Sequence, residues 1–168
     1  IDMPQAKKIL KAAAISIVLL WILSVIPFSV KIEQEIPTAI YKNGVVSEQT
    51  HVSISGKRTN YLFRDNSFEG IFFIHAIEKT GREEMWAFIQ WNGKTYPQIF
   101  HYNSHTLSHN DIADSIIIIN PEMTQFAVSL KDGSILATSD KVYKIYTEHI
   151  TYDPERGVTS FKGNIPAF

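Results

Sequence analysis

QFAVSLKDGSILATS (125–139) and EMWAFIQWNGKTYPQIF (84–100) carry the reading of the fold. In each, two arms rich in β-branched and aromatic residues flank a dipeptide suited to a tight turn: Asp132-Gly133 in the first, Asn92-Gly93 in the second. Both positions of a type I′ turn need positive φ, which Asn, Asp and Gly supply most readily. A two-residue turn at Asp132-Gly133 aligns Leu130 with Ile135 and Val128 with Ala137. One face is then apolar and includes Phe126, while Ser129, Lys131, Ser134 and Thr138 fill a solvated face. The same turn at Asn92-Gly93 aligns Trp91 with Lys94, Ile89 with Tyr96 and Ala87 with Gln98. Pro97 has no N–H to donate, which suits an edge or a bulge.

Outward from these hairpins the pattern repeats. Asn43-Gly44 separates two further arms in TAIYKNGVVS (38–47), and Pro37 limits the stretch before it. HVSISG (51–56), TNYLF (59–63) and the apolar SFEGIFFIHAI (67–77) follow. ADSIIIIN (113–120) reads as a buried strand ended by Pro121, and KVYKIYTEHITY (141–152) and VTSFKG (158–163) as the last strands. Nine or ten short antiparallel strands over residues 31–168 predict an all-β domain, and we favour an antiparallel β-sandwich over a closed barrel.

Upstream the composition changes. AAAISIVLLWILSVIPFSV (12–30) holds no charge and extends back through Ile9 and Leu10. As a helix, its 19 residues span about 28 Å, close to the hydrocarbon thickness of a bilayer. Residues 1–30 therefore read as a membrane anchor, with the lipid bilayer as the partner of residues 9–30. A signal peptide competes, but no Ala-x-Ala-like exit follows the apolar run. Lys7, Lys8 and Lys11 precede the run, which predicts a cytoplasmic N-terminus and an extracytoplasmic C-terminal domain, secreted if the segment is cleaved.

The chain has 168 residues, a net charge of −1 and no cysteine. Disulfides, thiol chemistry and Cys₄ zinc sites are excluded, so the core alone must hold the domain. Acidic and basic residues interleave beyond residue 30, without the concentrated basic face that nucleic-acid binding needs. No Gly-rich phosphate loop, His-Glu-x-x-His or Gly-x-Ser-x-Gly appears. These features fit a bacterial envelope protein.

Three groups of residues are candidates for chemistry. His101, His105 and His109, with Asp111 and Asp114, are spaced as metal ligands would be on a helix. Their surroundings (Asn103, Ser104, Thr106, Ser108, Asn110) read instead as a solvent-facing loop, so we assign no metal and no cofactor. Glu69, Glu84 and Asp65 are the carboxylates a small hydrolase would use, and we assign no catalytic residue among them. Exposed aromatics make the better site, with Trp91, Tyr96 and Trp86 as the binding residues and Trp91, beside its turn, the more exposed tryptophan. The expected function is non-catalytic binding by a membrane-tethered domain, with a protein or carbohydrate ligand. A carbohydrate-binding sandwich module and a small hydrolase are the alternatives.

Overall fold

The computed structural model describes residues 3–82, 84–92, 96–103 and 112–168. An N-terminal helix α1 (Met3–Val25) leads into ten strands: β1 (Phe28–Lys42), β2 (Val45–Asn60), β3 (Ser67–Ile74), β4 (Trp86–Gln90), β5 (Gln98–Tyr102), β6 (Ile112–Ile119), β7 (Phe126–Leu130), β8 (Ile135–Ala137), β9 (Ile150–Asp153) and β10 (Val158–Phe161). A second helix, α2 (Asp140–His149), lies between β8 and β9. Strands β1 to β8 pair antiparallel in chain order and β8 returns to β1, which makes a closed barrel; β9 and β10 form a separate ribbon.

The expected β-sandwich is thus corrected to an eight-stranded barrel. Strand content and apolar alternation are common to both architectures. The difference lies in the contacts Ala39↔Ala137, Ile40↔Leu136 and Tyr41↔Ile135, which join the first strand to the last. Closure needs strong coiling, and a glycine pair permits it between β2 and β3. Gly56 lies opposite Gly70, and a Cβ on Gly70 would stand 2.3 Å from the Ser55 carbonyl oxygen and 2.5 Å from the Gly56 Cα. The Phe68 ring covers this close approach and is itself fully buried.

Eight strands enclose a space that side chains alone can fill. Here Val52, Ile54, Phe72, Ile89, Ile117 and Leu136 are among the fully buried side chains of one continuous interior cluster. Loops plug it as well. Met123 is fully buried in the β6–β7 connection, where the Asn120 side chain accepts hydrogen bonds from the Thr124 and Gln125 amides. In the β3–β4 connection, the buried Thr80 hydroxyl accepts from the Ile74 amide and donates to the Ile77 carbonyl.

Two of the expected hairpin registers also change. Asn43 and Gly44 have φ of 51° and 81°, and Lys42 pairs with Val45, so this turn has two residues as expected. Beyond Asp132-Gly133, however, Val128 pairs with Leu136 rather than Ala137. The Gly133 amide donates to Leu130 and the Leu130 amide to Ser134, so the loop has three residues and ends in Gly133 at φ 82°. Asp132 accepts from the Ser134 amide and hydroxyl, which favours this form. Around Asn92-Gly93 the ladder is Ala87↔His101 and Gln90↔Gln98, so a longer connection replaces the two-residue turn; residues 93–95 lie outside those described.

KVYKIYTEHITY, expected as strand, is helix as far as His149. Its alternation competes with a four-residue spacing of Val142, Tyr146 and Ile150, all of them buried. Ser139 caps the helix by accepting from the Val142 amide, and Asp140 sits in the first turn, where the helix dipole favours a carboxylate. Asp140 also accepts from the Tyr41 hydroxyl; burial and this carboxylate push that hydroxyl up to about 12. The helix covers the outer face of β7, β8 and β1 over a row of small residues, Ala127, Ala137 and Ala39. Ser129, expected on a solvated face, is buried beneath it, with its hydroxyl 2.7 Å from that of Tyr146.

The helix α1 is long and apolar enough to cross a membrane, and none of its apolar stretch is buried against the other described residues. It stops at Val25, two residues before β1, so Phe28 to Val30, expected within the membrane helix, open the first strand instead. Pro27 cannot continue a helical hydrogen-bond ladder, which is consistent with the break.

Candidate functional site

Strand alternation sorts the barrel wall into inner and outer residues. Phe68, Phe72, Ala87 and Ile89 point inward and are fully buried, so Glu69, Ile71, Trp86 and Phe88 face outward. On β5, Ile99 and His101 are the buried pair and Phe100 and Tyr102 face out. Register then places Trp86 beside Tyr102, and Glu69, Phe88 and Phe100 in one row across three strands. Ile71 is 42% exposed, Trp86 47% and Phe100 38%, so this outer face presents aromatic and aliphatic surface to solvent. The Tyr102 hydroxyl donates to Glu69 at 2.8 Å, and burial together with that carboxylate holds it above its ordinary pKa.

Of the three expected binding residues, only Trp86 lies on this face. Trp91 is half-buried, packs against the barrel interior and directs its indole N–H at the Ile119 carbonyl, 3.4 Å away. Tyr96 stacks on Phe161 with ring centroids 4.6 Å apart and donates to the Gly163 carbonyl, which ties the β4–β5 connection to the β9–β10 ribbon. The exposures expected of the two tryptophans are therefore reversed. A groove of about 620 Å³ runs from Tyr96 past Ile118 and Asn120 to Ile165 and Phe168. Among the described residues no Asp, Glu, His or Lys side chain lines it, and those residues offer mainly shape and apolar contact.

The histidines are distributed differently from the expectation. His101, expected in a solvent-facing loop, is 5% exposed inside the barrel, with Nε2 2.9 Å from the Phe72 carbonyl. Burial lowers its pKa, partly opposed by that carbonyl. His105, His109 and Asp111 lie outside the described residues, as does the side chain of Asp114.

A separate cluster forms on the outer face of β1, β2 and β3. Pro37 pairs with His51 and Glu35 with Ser53, and the His75 amide donates to the His51 carbonyl, so three strands bring Glu35, His51 and His75 together. Val52, Ile54 and Ile74 alternate with them and point inward. The His51 Nε2 lies 3.0 Å from a Glu35 oxygen, and the His75 Nε2 lies 2.7 Å from the Ser53 hydroxyl. The two imidazoles lie 3.6 Å apart between centroids at a tilt of 31°, and the Phe73 ring lies 4.0 Å from that of His75. These residues span 40 positions of sequence, and only the β1–β2–β3 register could have associated them.

Glu69, Glu84 and Asp65, the carboxylates considered for hydrolysis, do not gather in a cavity among the described residues; Glu69 is the one on the aromatic face. No protein-family model, curated protein or solved structure matches this chain.

Proposed function

We propose that this chain is a membrane-tethered, non-catalytic binding domain that engages a protein partner through the aromatic outer face of β3, β4 and β5. The observation that carries the reading is the contrast between the two sides of the barrel wall. Side chains and loop plugs fill the interior, which leaves no ligand chamber among the described residues. The β3–β5 exterior keeps Ile71, Trp86 and Phe100 in water, whereas α2 covers the exterior of β7, β8 and β1. Aromatic residues that protrude from a rigid sheet are the usual anchors of protein interfaces. The domain lies outside the cytoplasm on this reading, because Lys7, Lys8 and Lys11 precede the span and the first lysine after it, Lys31, pairs with Glu33 at 2.8 Å.

Site-specific photo-crosslinking in cells tests the proposal. A photoreactive residue at Phe100 or Trp86 should give one discrete protein adduct, and the same residue at Lys144 on the far side should give none. Adducts of equal yield at all three positions, or none anywhere, would contradict it. The carbohydrate reading rests on the Trp86, Tyr102 and Glu69 grouping, since sugars also use an aromatic face beside a carboxylate. It would be favoured instead if soluble glycans protected Trp86 from oxidation while no protein adduct formed.

A further inference from the structure

We infer that Glu35, His51 and His75 form a binding site for a divalent transition metal of zinc type. Two imidazoles and one carboxylate are a ligand set that Zn²⁺ accepts, and three protein ligands leave a coordination position open. The potential donor atoms already lie within 4.8 Å of one another. Bonds of about 2.0–2.2 Å in a tetrahedron need ligands about 3.4 Å apart, so modest side-chain rotation completes the set. Glu35 lies on β1 and His51 on β2, while His75 follows the last residue of β3 and is held to β2 by its amide, which donates to the His51 carbonyl. Ser53 supplies the outer contact that orients a metal-binding histidine. Without a cation, the arrangement sets two imidazole faces against each other beside a carboxylate.

The test is calorimetric titration of the full chain in detergent with ZnCl₂ alone, on protein carrying no histidine tag and stripped with chelator. One equivalent should bind at pH 7.5, and Co²⁺ in its place should give visible absorption of tetrahedral type. His51→Ala, His75→Ala and Glu35→Gln should each weaken binding at least tenfold with an unchanged near-ultraviolet circular dichroism spectrum. Ser53→Ala should weaken it about tenfold, as loss of an outer contact does. His105→Ala/His109→Ala should leave it intact. The inference is overturned if no saturable binding occurs, if binding survives His51→Ala/His75→Ala, or if it vanishes in His105→Ala/His109→Ala.

A different observation carries a second inference: we propose that the end of the barrel holding the start of β1 and the β2–β3 connection dips into the membrane interface beside α1. From Ile9 to Val25 the helix spans about 25 Å, a few ångströms short of a typical hydrocarbon core. The chain makes up the difference as strand, because Phe28 follows Val25 by three residues and pairs with Asn60. Asn60 opens the connection to β3, in which Leu62 is 53% and Phe63 70% exposed. Phe28 and Val30 are also exposed, so four apolar side chains surround the point where the helix leaves the bilayer. Lys31, Lys57 and Arg64 flank them, as cationic side chains do at headgroup level.

The absence of cysteine makes spin-label depth measurement direct. Full-length protein carrying Phe63→Cys, labelled and reconstituted in phosphatidylcholine vesicles, should show the oxygen accessibility of the interface, and Lys144→Cys that of water. Equal, aqueous values at both positions would overturn the inference.

Discussion

Gly70→Ala should be among the most damaging single-methyl additions to this protein. Gly70 is not at positive φ, so the whole cost is steric. Its new Cβ would meet the Ser55 carbonyl oxygen at 2.3 Å and the Gly56 Cα at 2.5 Å, where ordinary contact begins near 3.4 Å. Both obstacles are backbone, so β2 and β3 must part locally by about 1 Å, which takes a ladder hydrogen bond beyond its useful range. Overpacking of this kind costs about 1–3 kcal/mol, and two weakened ladder bonds add about 0.5–1.5 kcal/mol each. We therefore expect a loss of about 2–6 kcal/mol. Gly157→Ala is the control: nothing lies within 4 Å of its Cβ position, and only the φ of 63° is penalised, by about 1–2 kcal/mol. Urea melts of the detergent-solubilised chain, followed by near-ultraviolet circular dichroism, measure both. If Gly70→Ala proves milder than Gly157→Ala, the close crossing of β2 and β3 is misplaced, and the coiling that closes the barrel loses its explanation.

Further outcomes follow from polar groups within the fold. His101 has a lowered pKa in the fold, so the unfolded chain binds the extra proton first, and stability should fall as pH drops through about 6.5. His101→Leu should flatten that decline, at most about 1.4 kcal/mol per pH unit, in melts between pH 7.5 and 5.5. Tyr146→Phe removes the hydroxyl that accepts from the Ser129 amide at 3.1 Å, and should cost about 1–3 kcal/mol in the same melts. Ser139→Ala removes the α2 cap and should cost about 1 kcal/mol, seen as faster amide exchange at Val142.

What was legible in the sequence was local. The uncharged run from Ala12 and the Asn43-Gly44 turn depend on neighbouring residues, and both elements form, although the helix stops five residues sooner than expected. The turn at Gly133 shows the limit, because Asp-Gly suits both a two-residue and a three-residue loop. The Asp132 side chain engages Ser134 in the longer form, and one extra loop residue shifts every cross-strand partner. For α2 the deciding pattern was present, a Ser139-Asp140 start and the four-residue spacing of Val142, Tyr146 and Ile150, but aromatic and β-branched content argued for strand. Closure was not legible, since Ala39 and Ala137 meet across almost the whole domain. The same is true of the aromatic face and of the Glu35, His51 and His75 cluster. Each is made by register between strands, so Trp86 could be nominated from composition, whereas its grouping with Tyr102 and Phe100 could not.

The closed barrel underlies every surface described above, and the meeting of β1 with β8 is its decisive contact. Ala39→Cys/Ala137→Cys places two cysteines on directly paired residues in a chain that otherwise has none. Paired strand residues lie about 4.5–5.5 Å apart at Cα, within the range a disulfide spans. Mild oxidation of the folded protein should link them within one chain, giving a reducible shift in gel mobility. Ala39→Cys/Ala127→Cys, with β8 between the two positions, should not link. An unlinked first pair in protein that keeps its native circular dichroism spectrum would mean that the first and last strands do not meet, and the barrel would be open.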